Sequence, residues 1–500
     1  MKNAIPSSSQ GIPSQYDIVN ELCGLVGLKS DQAGGQVKIS GADPIVDSPH
    51  RLGDVTAAAL ATMGISLGSL WRHRTGETQD VSVDIEGAIL QLSAAFLSQV
   101  DGFGITQLLD DPGCWETNDF YKSKTGRYVF IVNSLPRLRD IACTVLDCPP
   151  THAAYQDRVS HWDPFELEEA ISSRGGCCVA VRTESEWAVH PQGQALASQP
   201  VIRLERVGDS ELIPFAPEPS NVFSGLRVLD NTHIIAGPVS TRIMAEYGAE
   251  VLHISRPGYA DPSAMTIETG LGKRNAYCRL DHQEDIQRLE QLLDQTDVWV
   301  NSYLNLDQFG FSSKQLAASR PGLITLDFSC YGDIGPWAGR GGFDQLAQAA
   351  TGFSAEEGGF DSPKLPATHL VNDYLAAILG VIGISAALQR RAIEGGSWQI
   401  HINLAQVCTW VRRQGILDQD TLRSATLRTP QPSPLQTSAA LGSLAYAPTQ
   451  LTPKTLPMQT ISTAFGSLTY LPTQLMLSRL KPHFAYGSTP WGVDPLSWSI

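Results

Sequence analysis

The sequence predicts an α/β protein with a parallel sheet flanked by helices and a smaller α+β domain. From Leu226 onward, strand-like and helix-like segments alternate, as in RVLDNT, VSTRIMAEYGA and EVLHIS, and this alternation is typical of a Rossmann-like parallel sheet. Between Pro112 and Val222 the segments are shorter and include a hairpin pattern, YKSKTGRYVFIVN. One stretch of sequence also occurs twice, which indicates a partial internal duplication.

The repeated stretch is His50–Gly87, which matches His369–Gln406 without a gap. In each copy an aspartate, Asp54 or Asp373, opens a helix of small apolar residues that ends in a basic turn and a glycine, and a short strand follows. Helices so poor in charge are buried on most faces, so both copies are expected in a protein core. Chance similarity of two Ala/Gly-rich helices is the alternative, but the strand and the flanking His and Asp align as well.

These patterns divide the chain into four predicted units. They are residues 1–111, a partial N-terminal copy of the helix and strand unit; 112–222, the small α+β domain; 223–415, the Rossmann-like domain; and 416–500, a C-terminal tail that packs back on the other domains. The Pro-rich, polar segment PFAPEPSNVFSG is the expected linker into the third unit.

The composition disfavours several classes of protein. A formal net charge of -15 argues against sequence-independent nucleic-acid binding, which needs a basic face. There is no apolar leader and no stretch of the roughly 18 apolar residues that a membrane span needs, so a cytoplasmic protein without a membrane partner is expected. Nine cysteines lie scattered without CxxC spacing, so no metal site is predicted.

Two features place anion-binding groups near the strand ends of the predicted sheet. The loop His233–Pro238 leads into a helix N-terminus, which favours an anion, although it lacks the GxGxxG fingerprint and has the alternative of an ordinary turn. Arg256, Lys273 and Arg274 lie near the carboxyl ends of strands, where open α/β sheets bind ligands. A solvated surface is the alternative for these three residues.

Asp373 opens the apolar helix of the second copy, where the helix N-terminus is expected to hold its carboxylate ionised. A carboxylate held in this way can act as a nucleophile, and a plain N-cap is the structural alternative. The glycine-rich run around Gly341 and Gly342 follows a strand and offers backbone N–H donors to a ligand. A simple surface loop is the alternative there.

Taken together, these segments resemble the class III coenzyme A transferase family, which includes formyl-CoA and carnitine CoA-transferases and alpha-methylacyl-CoA racemases. The resemblance covers residues 225–411, from GLRVLDNTHIIAGP through GKRNA, GRGGFDQL and VNDYLAAILG to GGSWQIHINLAQ. The N-terminal part resembles the segments that follow the nucleophile in ordinary members, so the chain looks like one and a half copies. Because two subunits interlock in this family, a homodimer or an intrachain pseudo-dimer is expected.

The resemblance implies a role for each matching position. It places the nucleophile on Asp373 and a neighbouring carboxylate on Asp344. The glycine-rich stretch around Gly341 and Gly342 is expected to supply the backbone N–H donors for the oxyanion. Contacts with coenzyme A fall on His233, Ile235, Ala236, Arg256, Lys273, Arg274, Ser302 and Tyr303. Formyl-CoA transferases carry glutamine at the position of Ile235 and racemases carry histidine at that of Phe343, so formyl or oxalyl substrates and proton exchange are disfavoured.

The implied activity is that of an acyl-CoA:carboxylate CoA-transferase with aspartyl anhydride and aspartyl-CoA thioester intermediates. Its substrates are an acyl-CoA and a carboxylic acid acceptor, with no permanently bound cofactor and no metal. The alternatives are a racemase or epimerase that uses Asp373 as a base, and a catalytically degenerate acyl-CoA-binding protein. Only Asp373 is preceded by the CoA-binding half of the family pattern, so Asp54 is expected to be a helix cap.

Overall fold

The computed structural model describes residues 12–104, 107–108, 112–259, 261–425, 430–431, 450–451 and 458–499. The first range holds the first copy of the repeat. Its elements are α1 (Gln15–Leu25), β1 (Gly34–Ser40), α2 (Leu52–Thr75), β2 (Gln79–Asp84), α3 (Ile85–Gln91), α4 (Ala94–Leu97), β3 (Gln99–Val100) and β4 (Phe103–Gly104). Helix α2 is buried from Leu52 to Trp71, where Asp54 is its one charged residue, and it ends where Gly76 adopts the left-handed conformation.

The middle segment forms a small antiparallel sheet with helices. Its elements are α5 (Pro112–Glu116), β5 (Asp119–Lys122), β6 (Tyr128–Ile131), α6 (Pro136–Leu146), α7 (His152–Val159), α8 (Pro164–Ser172), β7 (Cys178–Ala180), α9 (Glu184–Val189), α10 (Pro191–Leu196) and β8 (Arg203–Gly208). Strands β5, β6 and β7 pair in that order. A separate apolar cluster, which includes Tyr121, Tyr155 and Leu167, joins this sheet to helices α6 to α8.

The largest sheet follows, in a strict alternation of strands and helices at first. Its elements are β9 (Arg227–Asn231), α11 (Ala236–Glu246), β10 (Glu250–Ser255), α12 (Ser263–Thr269), β11 (Lys273–Tyr277), α13 (Gln283–Leu293), β12 (Val298–Asn301), a 3-10 helix (Leu306–Phe309), α14 (Ser313–Ser319), β13 (Ile324–Ser329), α15 (Asp344–Thr351), α16 (Phe353–Gly358), α17 (Asn372–Glu394), β14 (Ser397–Asn403) and α18 (Leu404–Arg413). The strand order is β11-β10-β9-β12-β13-β14-β8. All neighbours are parallel except β8, which is antiparallel to β14.

The C-terminal elements extend the smaller sheets. They are α19 (Gln419–Ser424), β15 (Pro430–Gln431), β16 (Gln450–Leu451), β17 (Gln459–Thr463), β18 (Gly466–Tyr470) and β19 (Met476–Leu477). Strand β18 pairs with β17 and β3, and β19 pairs with β2. The segment 458–499 therefore lies against the N-terminal copy of the repeat.

The predicted fold class is confirmed, because the core is a seven-stranded, mostly parallel sheet covered by helices. The four unit boundaries stay predictions. Strand β8 lies inside the segment 112–222 predicted as the small domain, yet it pairs with the last strand of the large sheet. Parts of the predicted units 1–111 and 416–500 lie outside the described residues.

The two long helices of the repeat, α2 and α17, pack against each other. Ser69 of α2 donates to Gln389 Oε1 of α17 at 3.0 Å. Among the described residues, α17 alone is long and apolar enough to cross a membrane, but 78% of its most apolar window lies inside the structure. This burial is the property of a core helix.

Candidate active site

A cleft of about 1470 Å³ opens at the carboxyl ends of β9 and β12. Chain order reverses between these two neighbouring strands, and open α/β sheets bind ligands where this happens. One wall comes from the loops after β9, β10 and β12, and the other from residues within 134–144 and 172–177. Asp373 and residues 339–343 also line the cleft.

Asp344 is the first residue of α15, and its side chain caps the N-terminus of α17. Its Oδ2 accepts the backbone N–H groups of Val371 at 3.1 Å, Asn372 at 2.6 Å and Asp373 at 3.0 Å, and Gln348 donates to its Oδ1. Asp344 is fully buried and does not line the cleft. The structure therefore brings the two predicted carboxylates together, with Asp344 behind Asp373.

The side chain of Asp373 lines the cleft and has no hydrogen-bond or ion-pair partner within the described part of the chain. Burial raises the pKa of Asp373 well above its usual range, and the nearby charge of Asp344 raises it further. Burial also raises the pKa of Asp344, but Gln348 and three backbone N–H groups oppose that shift. We therefore assign the negative charge of the pair to Asp344 and the proton to Asp373.

This assignment corrects one expectation from the sequence. The N-terminus of α17 does not hold Asp373 ionised, because its free N–H groups are bound to Asp344 instead. The sequence showed both carboxylates but not which one would receive those bonds.

Asp54, the equivalent aspartate of the first copy, is neutralised by a cation. Its Oδ2 accepts from Arg51 Nε at 3.0 Å and lies 2.8 Å from Arg51 Nη2, and both side chains are buried. The expectation of a helix cap is wrong, since the N-cap residue is Arg51 and the N–H of Asp54 donates to Asp43 at 2.8 Å. In the second copy the position of Arg51 is Leu370. Asp373 therefore lacks the cation that pairs with Asp54.

The loop before α11 is strained and externally braced. Ile234 has φ +65°, which a β-branched residue rarely adopts. Its N–H donates to Asp261 Oδ2 at 2.5 Å, and the N–H of His233 donates to Ser302 Oγ at 3.0 Å. The His233 ring also stacks on Tyr303, with centroids 4.8 Å apart. Two other loops thus hold this one against the cleft.

Most of the other predicted site residues also line the cleft. Ile235 and Ala236 lie at the start of α11, and Arg256 reaches the mouth, where Asp281 Oδ2 lies 3.3 Å from its guanidinium. Gly342 is in close contact with its neighbours, because a Cβ there would lie 2.6 Å from Cys330 Sγ. Adjacent Gly341 also lines the cleft.

Lys273 and Arg274 do not line the cleft. Lys273 is buried below the sheet end, where its Nζ donates to Asp230 Oδ2 at 2.9 Å and to the Pro238 carbonyl at 2.6 Å. Arg274 donates to the Ser497 carbonyl at 2.9 Å. Their placement does not support the predicted contact with coenzyme A, because both cations are engaged with the protein itself.

Sequence reasoning missed two contributions to the cleft. Arg137 and Cys177 come from the middle segment, and only the chain path brings that segment opposite the main sheet. Asp261 follows β10 within YADP and showed no sequence signal, because its partner is a backbone N–H group. Burial raises the pKa of Asp261 to about 7. Within the described ranges, no group of three or more His, Cys, Asp or Glu side chains could hold a metal ion.

The segment that holds this cleft resembles a known protein family. Residues 223–446 match the family model described as CoA-transferase family III. This part of the chain is similar to CoA-transferase family III. The family resemblance of the sequence is therefore confirmed, and the chain is an enzyme whose substrates are CoA thioesters.

Two fungal relatives cover most of the CoA-transferase chain. An acetyl-coenzyme A transferase, nodX, of Hypoxylon pulicicidum is 28% identical over 433 residues, which are 76% of this chain and 72% of that protein. An acyl-CoA transferase of Gibberella moniliformis is 27% identical and covers 72% of this chain and 70% of that protein.

A bacterial relative and a solved structure match shorter stretches. The alpha subunit of a succinyl-CoA–L-malate CoA-transferase of Chloroflexus aurantiacus is 30% identical over 40% of this chain and 53% of that protein. The crystal structure of a CAIB/BAIF family protein from Brucella suis is 20% identical, covers 49% of this chain and 64% of that chain, and has a TM-score of 0.32.

Proposed function

We propose that this CoA-transferase moves coenzyme A from an acyl-CoA to a carboxylic acid through covalent intermediates on Asp373. The observation that carries the proposal is the contrast between the two equivalent aspartates. Asp54 is closed off by Arg51, whereas Asp373 faces the cleft and its side chain has no hydrogen-bond or ion-pair partner among the residues that the structure describes. Two fungal relatives are named as acetyl-CoA and acyl-CoA transferases, which supports a thioester substrate here.

Asp373 reacts as its carboxylate, so its proton first leaves to solvent through the cleft. A carboxylate oxygen attacks the thioester carbonyl, the C–S bond breaks, and the products are an aspartyl-acyl anhydride and the CoA thiolate. The thiolate then attacks the aspartyl carbonyl, which gives an aspartyl-CoA thioester and releases the donor acid as its carboxylate. The acceptor carboxylate reverses the two steps, so Asp373 is regenerated as a carboxylate.

Burial prepares Asp373 for this attack. A solvated carboxylate is a weak nucleophile toward a thioester, and removing water while fixing its position lowers the barrier. Asp344 serves as a positioning residue because its hydrogen bonds fix the backbone at Asp373. The amide groups of Gly341 and Gly342 donate no hydrogen bond within the described residues, so they are free to stabilise a tetrahedral oxyanion.

The remaining cleft residues would bind the coenzyme. His233, Ile235 and Ala236 lie on the loop beside Asp373, and Ser302 and Tyr303 lie on the facing loop. Arg256 at the exposed mouth offers a cation to the phosphates. In this arrangement the nucleotide stays near the mouth while the thioester reaches Asp373.

Trapping on Asp373 tests the proposal. The full chain is incubated with acetyl-CoA or propionyl-CoA, treated with hydroxylamine, and mapped by peptide mass. We expect a hydroxamate on the Asp373 peptide, and a loss of turnover by several orders of magnitude in Asp373→Asn. Asp54→Asn is the matched control and should keep its activity. A hydroxamate on the Asp54 peptide, or full activity in Asp373→Asn, would overturn the assignment.

The same preparation separates the two alternatives. A racemase or epimerase would exchange the α-hydrogen of the acyl group with deuterated solvent in the absence of an acceptor acid. A degenerate acyl-CoA-binding protein would bind acyl-CoA without turnover, and Asp373→Ala would not change its affinity.

A further inference from the structure

A second, much smaller pocket of about 30 Å³ lies beside Asp373 and shares Trp115, Ile235 and Phe343 with the cleft. Its walls are mainly apolar side chains from six separate parts of the chain, and most of them are almost fully buried. These apolar side chains include Phe96, Trp115, Ile235, Met265, Phe343 and Leu370. The polar groups that also reach this pocket are Ser134, Gln345 and Asp373 itself.

We propose that this pocket receives the acyl group and restricts the enzyme to short, uncharged acyl chains such as acetyl and propionyl. The inference rests on the proposed covalent role of Asp373. In a thioester the acyl chain points away from sulfur. With the coenzyme lying along the open cleft toward Arg256, the acyl chain is directed from Asp373 into the smaller pocket.

The size of the pocket sets the length of the chain. A cavity of roughly 10–15 Å³ on this measure holds one water molecule, so the observed volume has room for about two groups of that size. A methyl or an ethyl group fits, and each further methylene has to displace packed side chains. In a close-fitting apolar pocket one additional methylene changes selectivity by about 10- to 200-fold.

The charge of the lining excludes a second carboxylate. Of the described residues that line it, none is Lys, Arg or His, and Asp373 is the one ionisable group. The carboxylate of a succinyl chain would be buried against apolar side chains and close to Asp344, without a cation to pair with it. Dicarboxylic acyl groups are therefore poor substrates for this site.

The same restriction applies to donor and acceptor. Each acid in turn is joined to Asp373 in the same kind of anhydride, so both acyl groups occupy the same pocket. The enzyme accordingly exchanges coenzyme A between short monocarboxylic acids.

A panel of donors tests this inference on the full wild-type chain. Acetyl-, propionyl-, butyryl- and succinyl-CoA are each incubated with isotopically labelled acetate, and the labelled acetyl-CoA is measured by mass spectrometry. We expect kcat/KM for acetyl- or propionyl-CoA to exceed that for butyryl-CoA at least about tenfold, with succinyl-CoA lower still. Equal or faster use of succinyl-CoA would overturn the inference.

A variant pair tests whether the pocket is responsible. Met265→Ala enlarges the pocket and should raise the relative kcat/KM of butyryl-CoA at least about tenfold. Met244→Ala removes the same atoms from a buried methionine that does not line the pocket, and should leave the order of donors unchanged. The same order of donors in both variants would contradict the inference. So would a shift in the control.

The outcomes also separate this inference from the proposed function. A hydroxamate on Asp373 from every donor, succinyl-CoA as readily as acetyl-CoA, sinks the chain-length inference and leaves the covalent role of Asp373 intact. The absence of turnover and of any adduct with every donor would contradict both the chain-length inference and the covalent role of Asp373.

Discussion

Replacing Asp261 tests whether the strained loop before α11 depends on its external brace. The N–H of Ile234 donates to Asp261 Oδ2 at 2.5 Å, and both residues line the cleft. Asp261→Leu keeps the approximate size of the side chain but removes the acceptor. Asp261→Asn keeps an acceptor oxygen and is the matched control.

The expected magnitude follows from two terms. A buried N–H group left without a partner costs about 1–3 kcal/mol. The left-handed conformation of Ile234 costs roughly a further 1–2 kcal/mol that the hydrogen bond no longer offsets. Together the two terms amount to about 2–5 kcal/mol, and since about 1.4 kcal/mol is a factor of ten, the fraction of loops in the competent geometry should fall roughly 30- to 4000-fold.

Steady-state kinetics with acetyl-CoA measure this loss. We expect kcat/KM of Asp261→Leu to fall by that factor, and Asp261→Asn to stay within about threefold of wild type, because its amide oxygen still accepts the N–H. Ile234→Gly removes the conformational strain, so adding it to Asp261→Leu should restore about tenfold. Unchanged kinetics in Asp261→Leu would refute the bracing role, and failure of the glycine rescue would refute the strain.

Asp261 also has a consequence for stability. Burial, with a smaller contribution from the charge of Asp230, raises its pKa to about 7. The folded protein therefore retains a proton that the unfolded chain releases near its ordinary pKa of about 4, so the contribution of Asp261 to stability falls between about pH 4 and pH 7. Melting temperatures of Asp261→Asn should show a flatter dependence over this range. An unchanged slope would contradict the assignment.

Three further predictions concern buried charges outside the cleft. Arg51→Leu leaves Asp54 without its cation and should lower the free energy of unfolding by about 3–5 kcal/mol in urea denaturation, with Asp54→Asn in the same background restoring part of it. Lys273→Met leaves the buried carboxylate of Asp230 without its cation, so the free energy of unfolding should fall by a similar amount. The KM of the folded variant for acyl-CoA should stay unchanged. A selective rise in KM would instead indicate that Lys273 contacts the coenzyme. Burial lowers the pKa of His50, but the hydrogen bonds that its ring donates to Glu356 and Glu357 raise it overall. The stabilisation is therefore present below about pH 6.5 and is lost as pH rises through the folded pKa. The stability gap between wild type and His50→Gln should therefore shrink from pH 6 to pH 9 in thermal melts.

Local sequence patterns were sufficient to predict those helices and strands whose position depends on burial of apolar residues. Helices α2 and α17 carry almost no charge over their first four turns, so they could only be stable inside a core, and both are buried. The alternation of strands and helices after Leu226 predicted the parallel sheet for a similar reason, since each strand needs apolar cover on both faces.

Adjacent cations show where the pattern was misleading. Lys273 and Arg274 follow each other in β11, and successive side chains of a strand point to opposite faces, so they could not both face one ligand. Lys273 turns inward to Asp230 and Arg274 turns toward the C-terminal segment. The prediction that they lie near the carboxyl ends of strands was wrong, because both residues begin β11 and so lie at its amino end, away from the edge where the cleft opens. The partners that neutralise them also lie far away in the chain.

The sequence by itself determined the fold class, the family, and Asp373 as the candidate nucleophile, because these depend on contiguous patterns of burial and on motifs that remain readable in one dimension. Only the tertiary structure decided the electrostatics of the two equivalent aspartates. Asp344 reaches the first turn of α17 from a separate helix, and Arg51 pairs with Asp54 where the second copy has Leu370. Ionisation depends on distances between groups that folding brings together, so two nearly identical helix starts become a neutralised ion pair in one copy and an unpaired carboxyl group facing a cleft in the other.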